Sequence, residues 1–392
     1  MIKLNIENIA ILFANQTNCK SKLRFNTSFL LCLFINIKIN YNNMILVTGA
    51  GGLIGNTVSS FFLKKKINVI GVDNNQRKKF FGKNGNIEKN ILQLKKNNKF
   101  KFIFIDILNK SKLENIFKKN KFDLIVHTAA QPSHDWSATN PNLDFHINAV
   151  GTLNILECIR KYNPNSIFIY LSTNKVYGDL VNNFEYRELK TRYEIKNKYK
   201  NGFDENINID NSKHSPFGVS KLSGDLLVQE YGKYFNIRTS CLRAGCLTGD
   251  THASVELHGF LSYLFKAAYY NKKYYIYGYK GKQVRDNLSS YDVSTIIWEL
   301  FKKPPSPGEI FNIGGGRESN ISVIEAINKC EIITKNKFNF QLMSQQRLGD
   351  HKFWITDMKK FKKRYPKWKI KYKIDDILLQ MLDYENFRTF RK

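Results

Sequence analysis

The sequence predicts an α/β protein built on a doubly wound parallel sheet, followed by a smaller C-terminal substrate-binding domain. Three observations carry that expectation. Short apolar runs alternate with helical patterns as far as residue 243, a glycine-rich turn joins the first run to the first helix, and the second run ends in a carboxylate. Parallel strands are buried on both faces and therefore read as nearly continuous apolar stretches, which is the form of these runs.

Met44–Thr48 is the first strand, and the turn Thr48–Gly55 after it leads into an apolar-periodic helix reaching about Lys66. Gly49, Gly52 and Gly55 have the GxxGxxG spacing. Glycine at these places allows a tight turn, close approach of backbone to a pyrophosphate, and close helix packing. The second strand, Asn68–Asp73, ends in an acid eighteen residues after Gly55. A carboxylate there accepts both ribose hydroxyls of NAD and repels the 2′-phosphate of NADP, so NAD is the expected cofactor, with Arg77, Lys78 and Lys79 as the opposing signal. Phe102–Asp106, Leu124–Thr128, Ser166–Ser172 and Ile237–Arg243 continue the strands, and Phe311–Gly316 is a late strand returning to the sheet. Ligands of such sheets bind beyond the carboxyl ends of the strands.

The segment His214–Lys221 reads His-Ser-Pro-Phe-Gly-Val-Ser-Lys. In short-chain dehydrogenase/reductase enzymes a Tyr precedes a Lys by four residues, about one helical turn, so that the ammonium lowers the phenol pKa and the phenolate serves as base. Here the Tyr position is Phe217: the ring is kept and the acid/base oxygen is gone.

Taken together these segments resemble the extended short-chain dehydrogenase/reductase family, in its nucleotide-sugar epimerase and dehydratase branch, from about Met44 to the C-terminus. The resemblance implies that Asp106 and Ile107 contact adenine and that His127–Ala130, with Ala129, lines the nicotinamide side. Asn148 of Asn-Ala-Val-Gly-Thr fixes the catalytic helix. Ser172–Asp179 reads Ser-Thr-Asn-Lys-Val-Tyr-Gly-Asp, which places Thr173 on the sugar oxygen undergoing oxidation and leaves Lys221 to hold the nicotinamide ribose. That wording, with Thr191–Tyr193 and Asn201–Glu205 following it, is similar to the CDP-paratose 2-epimerase (tyvelose epimerase) group. Dehydratase relatives carry an Asp-Glu pair where this chain has Asn174–Lys175. Gly278–Asp286 and Arg347–Asp350 resemble sugar-nucleotide elements, implying diphosphate roles for Arg285 and Arg347 and a nucleoside-ribose role for Asp350. Cys246 and Ser289 depart from the family, which usually has Asn or Ser at the first and commonly His at the second, so the diphosphate contacts need not transfer atom for atom.

The expected function is thus an NAD-dependent nucleotide-sugar epimerase that oxidises and re-reduces one sugar carbon of a CDP-, UDP- or dTDP-hexose. The alternative is a catalytically silent NAD or sugar-nucleotide binding protein, favoured by Phe217. An enzyme without the phenol needs another base, and His134, next to Asp135 and just beyond the nicotinamide strand, is the candidate. Each of these residues also has a plain structural reading: a strand-end cap for His127, satisfied buried polar groups for Thr173 and Asn148, surface ion pairs for Arg285 and Arg347, a rim histidine for His134.

Residues 44–243 are read as the NAD-binding Rossmann domain and 244–392 as mainly the sugar-nucleotide domain. An aromatic content of 14% argues against disorder, and six Cys without metal spacing suggest free thiols in a reducing, cytoplasmic setting with no metal. The net charge of +29 invites a polyanion partner. Yet the 17 Lys/Arg against four Asp/Glu between Leu63 and Lys121 are scattered through helical patterns, and the chain is rich in Asn, Ile, Phe and Tyr as well as Lys, as an AT-biased coding sequence produces. No nucleic-acid or membrane partner is expected; a second copy of the chain is. Residues 1–43 precede the first strand, and the apolar run Phe29–Ile35 is too short to span a bilayer. They are read as a disordered or non-native extension, with a targeting leader next.

Overall fold

The computed structural model describes residues 43–196, 199–249, 259–345 and 349–389. The expected extension, apart from Asn43, and Arg347 lie outside the described residues.

Seven strands form one parallel sheet: β1 (Met44–Thr48), β2 (Asn68–Asp73), β3 (Phe100–Phe104), β4 (Leu124–His127), β5 (Ile167–Thr173), β6 (Arg238–Ala244) and β7 (Glu309–Ile313). Their order is β7-β6-β5-β4-β1-β2-β3, with β1 set by Met44 against Asn68 on one side and by Ile45 against Leu124 on the other. The order reverses between β1 and β4, and that switch point opens a crevice at the carboxyl edge. Period-2 alternation splits the side chains between two cores. Ile45, Val47, Val126 and Ile169 meet helix α1 (Leu53–Lys64) and the later helix Ser290–Lys302, while Leu46, Ile125, Phe168 and Tyr170 meet helices Lys110–Lys119 and Gly151–Tyr162. Both faces are covered, which is why the strands carry unbroken apolar runs.

The edge strand β3 starts two residues before the expected Phe102 and stops at Phe104. Ile105 N still donates to Asp73 O at 3.1 Å, but Asp106 turns its carboxylate back to Leu108 N at 2.8 Å and the chain leaves the sheet. Beyond β6 the strand Val284–Ser289 pairs with Cys246–Thr248, Asn320–Ser322 and Phe353–Trp354, and a separate core gathers around Leu264, Ile276, Ile327 and Leu378. Among the described residues no helix is long and apolar enough to cross a membrane.

Candidate active site

A cavity of about 480 Å³ lies at the carboxyl ends of β1, β2, β4, β5 and β6, and it is floored on one side by the glycine turn. Gly49 sits at φ +69°, and a Cβ there would lie 2.7 Å from Ala129 N; one on Gly55 would lie 2.2 Å from Gly49 O. A Cβ on Gly52 would meet only Gly49 O, at 3.4 Å, and Gly52 lines the cavity. Two glycines therefore permit packing, and the third leaves room for a ligand against the backbone.

Asp73 stands at the end of β2, its carboxylate accepting from Gly51 N at 3.0 Å and Asn75 N at 2.8 Å. Burial raises its pKa against those bonds and against Arg77. Arg77 lines the same rim and is itself lowered to about 10 by burial. Asp106 accepts from Asn74 Nδ2 at 2.8 Å, and Ile107 and Ala129 face the cavity. The carboxylate of Asp73 and the bare backbone at Gly52 fit a dinucleotide with its pyrophosphate on the glycine turn and its ribose at Asp73.

His127 does not line the cavity. It is a fully buried strut, Nδ1 at 2.6 Å from Thr48 Oγ1 and Nε2 at 3.1 Å from Thr152 Oγ1. Thr152 Oγ1 donates to Asn148 O at 2.7 Å, so its lone pair faces Nε2–H. Burial lowers the ring to about 3, and it stays neutral. Asn148 is buried as well, donating to Gln131 O at 3.1 Å and Ser220 Oγ at 3.0 Å, which ties the loop after β4 to the long helix α2 (Ser215–Phe235).

Helix α2 presents Phe217, Lys221, Asp225 and Val228 on its buried face. Lys221 Nζ donates to Leu171 O at 2.7 Å and lies 4.1 Å above the Tyr170 ring. Burial lowers it to about 8, against the nearby Asp225. Phe217, one turn earlier, is buried with its ring edge toward His134, centroids 4.7 Å apart. His134 begins a short helix capped by Ser133 and lines the cavity, with Nδ1 3.0 Å from Ser215 Oγ. Asp135, the expected support, is exposed, and Ser215 gives this ring a hydrogen-bond partner from α2. Ser215 itself is held at φ +63°, a strained conformation of the kind found where a side chain must be aimed.

Thr173 ends β5 and faces the cavity, its hydroxyl accepting from Lys175 N at 3.3 Å. Lys175 Nζ donates to Gly349 O at 2.7 Å and stands 4.0 Å from Asp350. Asp350 is also ion-paired with the Arg285 guanidinium. Burial opposes ionisation of Asp350, but Arg285 and Lys175 hold its carboxyl well below the usual range. Its Oδ1 is thus engaged by two cations, and Asp350 lines the cavity. Cys246 lines the wall with its thiol raised to about 11 by burial, and Ser289 is a helix cap, accepting from Asp292 N at 3.0 Å. Three groups that the sequence did not single out join the site, Ser215 and the wall tyrosines Tyr275 and Tyr277, and Lys175, noted there only as a departure from the dehydratases, lines it as well. The tyrosines were legible in the run Tyr274–Tyr277. Among the described residues no cluster of three or more His, Cys, Asp or Glu is placed to hold a metal ion.

The family model for the NAD dependent epimerase/dehydratase family matches residues 45–314. CDP-paratose 2-epimerase of Salmonella typhi is 33% identical over 346 residues, covering 87% of this chain and 98% of that protein. dTDP-glucose 4,6-dehydratase of Escherichia coli is 31% identical, covering 74% of this chain and 76% of that one. The structure of UDP-glucuronic acid 4-epimerase from Bacillus cereus, in complex with UDP-glucuronic acid and NAD, superposes with a TM-score of 0.72 at 25% identity, over 88% of this chain and 99% of that chain. The glycine turn, the acid of β2 and the Thr–Lys pair at the crevice therefore stand in a matched frame, and the chain belongs to the NAD dependent epimerase/dehydratase family.

Proposed function

We propose that the protein is a nucleotide-sugar epimerase of the CDP-paratose 2-epimerase type, acting on a CDP-, UDP- or dTDP-hexose. The observation that carries this reading is the convergence on one cavity of Thr173, Lys221 and His134 with the glycine turn on one side and Arg285 on the other. NAD, when bound, supplies reversible hydride acceptance. Thr173 Oγ hydrogen-bonds the sugar oxygen, and His134 takes the hydroxyl proton as the carbon is oxidised and gives it back when the other face is reduced. Ser215 fixes the imidazole, Lys221 binds the nicotinamide ribose, and Arg285 with Arg347 anchors the diphosphate through planar guanidinium forks. Asn174–Lys175 leaves a cation where a dehydratase has its acid pair, which favours epimerisation over loss of water. Residues 44–243 serve the dinucleotide and 244–392 mainly the sugar nucleotide. The reading includes a homodimer, supported by exposed Val219 and Leu226 one heptad apart on α2, and a cytoplasmic setting, supported by the free thiols Cys158, Cys241, Cys246 and Cys330.

Phe217 favours a second reading, a protein that binds both nucleotides without turnover. Two measurements separate them. Mass spectrometry of the nucleotides that co-purify identifies the ligands. His134→Ala should abolish turnover while NAD affinity stays, and Phe217→Tyr should restore part of it in that background; full activity of His134→Ala would remove His134 from the mechanism.

A further inference from the structure

The chain between β2 and its following helix makes an excursion that begins and ends on the glycine turn. Asn75, at φ +54°, turns it away from the sheet; Gln76–Phe81 forms a short helix and Gly82–Gly85 a tight turn. Asn75 Nδ2 then donates to Asn86 Oδ1 at 2.9 Å and Ile87 N to Asn75 Oδ1 at 3.3 Å, closing the loop on itself. Ile87 packs so tightly on Gly51 that a Cβ there would lie 2.3 Å from its Cδ1, and Asn90 Nδ2 donates to Gly51 O at 2.9 Å.

No residue of Gln76–Phe81 is fully buried, and half-buried Phe80 packs at the margin of the core that contains Leu46 and Ile125. Gln76, Arg77 and Phe80 nevertheless line the cavity. The opposite lip is the short helix His134–Thr139, which follows Ala129 and Ala130. The Phe80 ring packs on the half-buried Trp136 ring with centroids 4.4 Å apart and planes at 50°. This aromatic contact joins the two lips, one carrying Arg77 beside Asp73 and the other carrying His134.

We propose that Phe80 and Trp136 are positioning residues that clasp the dinucleotide in its groove, so that one NAD serves many turnovers. The proposal rests on the NAD reading above. A reaction that returns its hydride needs the same cofactor through oxidation and reduction, and a dinucleotide spanning from Asp73 to Lys221 would pass between the lip that carries Phe80 and the lip that carries His134. Leaving the groove requires the two rings to part, so the contact acts on the rate of release.

The test is exchange of isotopically labelled NAD from the loaded protein, with thermal unfolding of the NAD-free form as the control for folding. Aromatic pairs contribute on a scale at which loss of the contact speeds release about tenfold, equivalent to ~1.4 kcal/mol. Trp136→Ala and Phe80→Ala should each show that acceleration, with little change in the NAD-free melting temperature. The double variant should be no faster than either, because both remove the same contact, and Trp136→Phe should stay within about twofold of the native rate. If one alanine variant fails to fold, the other carries the test. Native-like exchange in the folded variants, from a native protein that retains labelled NAD, overturns the clasp alone. A native protein that neither retains nor binds NAD overturns the cofactor reading and the clasp with it.

Discussion

Alanine at Gly52 and alanine at Gly55 should have opposite signatures. At Gly55 the added methyl falls 2.2 Å from Gly49 O and 2.8 Å from Thr128 Oγ1. An ordinary C···O contact is about 3.4 Å, so the shortfall is roughly 1 Å against backbone that cannot swing aside. Overpacking of this kind costs about 1–3 kcal/mol and lowers Tm by several degrees. It also displaces the turn, so NAD binding falls with stability. At Gly52 the backbone is at φ −70°, which alanine adopts freely, and the methyl meets only Gly49 O at 3.4 Å. Stability should therefore hold within ~0.5 kcal/mol. The methyl nevertheless projects where the pyrophosphate approaches the backbone, and NAD affinity should fall tenfold or more, at least ~1.4 kcal/mol. Calorimetric NAD titration and thermal unfolding of the NAD-free variants read the two effects separately. A Gly52→Ala protein that binds NAD as tightly as the native one, or a Gly55→Ala protein with unchanged Tm, would refute this account of the turn.

Four other substitutions probe the site's electrostatics. Asp73→Ala should weaken NAD more than NADP in parallel titrations, since it removes the ribose acceptor and leaves Arg77 in place; tighter native binding of NADP than of NAD would defeat the assignment. Lys221 has its pKa lowered by burial from 10.5 to about 8, so between those pH values the unfolded chain holds a proton that the folded protein lacks. The NAD-free protein should therefore gain stability relative to Lys221→Met as pH rises from 8 to 10.5, by up to ~3 kcal/mol, with the full penalty present below pH 8. Denaturant unfolding across that range checks the sign. Arg243 and Asp225 form a buried ion pair at 2.8 Å beside Ser172, and Arg243→Met should cost about 3–5 kcal/mol by leaving the Asp225 charge uncompensated. Adding Asp225→Leu should recover most of that loss in the same unfolding assay.

The parts of the site legible in the sequence are those whose chemistry is local. Gly49, Gly52, Gly55 and Asp73 follow one another across a single βαβ unit, and Phe217 and Lys221 are one helical turn apart, so spacing alone brings them together. The contacts it missed close over long stretches of chain. Ser215 meets His134 across 81 residues and Arg285 meets Asp350 across 65, and neither pairing leaves a periodic trace. The family resemblance of His127–Ala130 implied a cavity residue at His127, but Thr48 and Thr152 enclose it, and a ring satisfied at both nitrogens belongs to the core. Ser289 is readable as a cap from Asp292 three residues later, a helix-start signal carried by those two positions alone. The bounds of β3 shifted because an edge strand has only one neighbour to fix where it starts and stops.

The central claim is that this chain inverts a sugar carbon by removing a hydride and returning it. The most direct measurement supplies CDP-, UDP- and dTDP-hexoses in turn, in deuterated water, and follows the products by mass spectrometry and NMR. The account predicts that one sugar nucleotide is inverted at a single carbon, that its mass is unchanged, that the inverted carbon keeps its own hydrogen rather than acquiring solvent deuterium, and that the oxidation state of NAD shows no net change. Loss of water from the sugar, or tight binding of one sugar nucleotide without turnover of any, would contradict it.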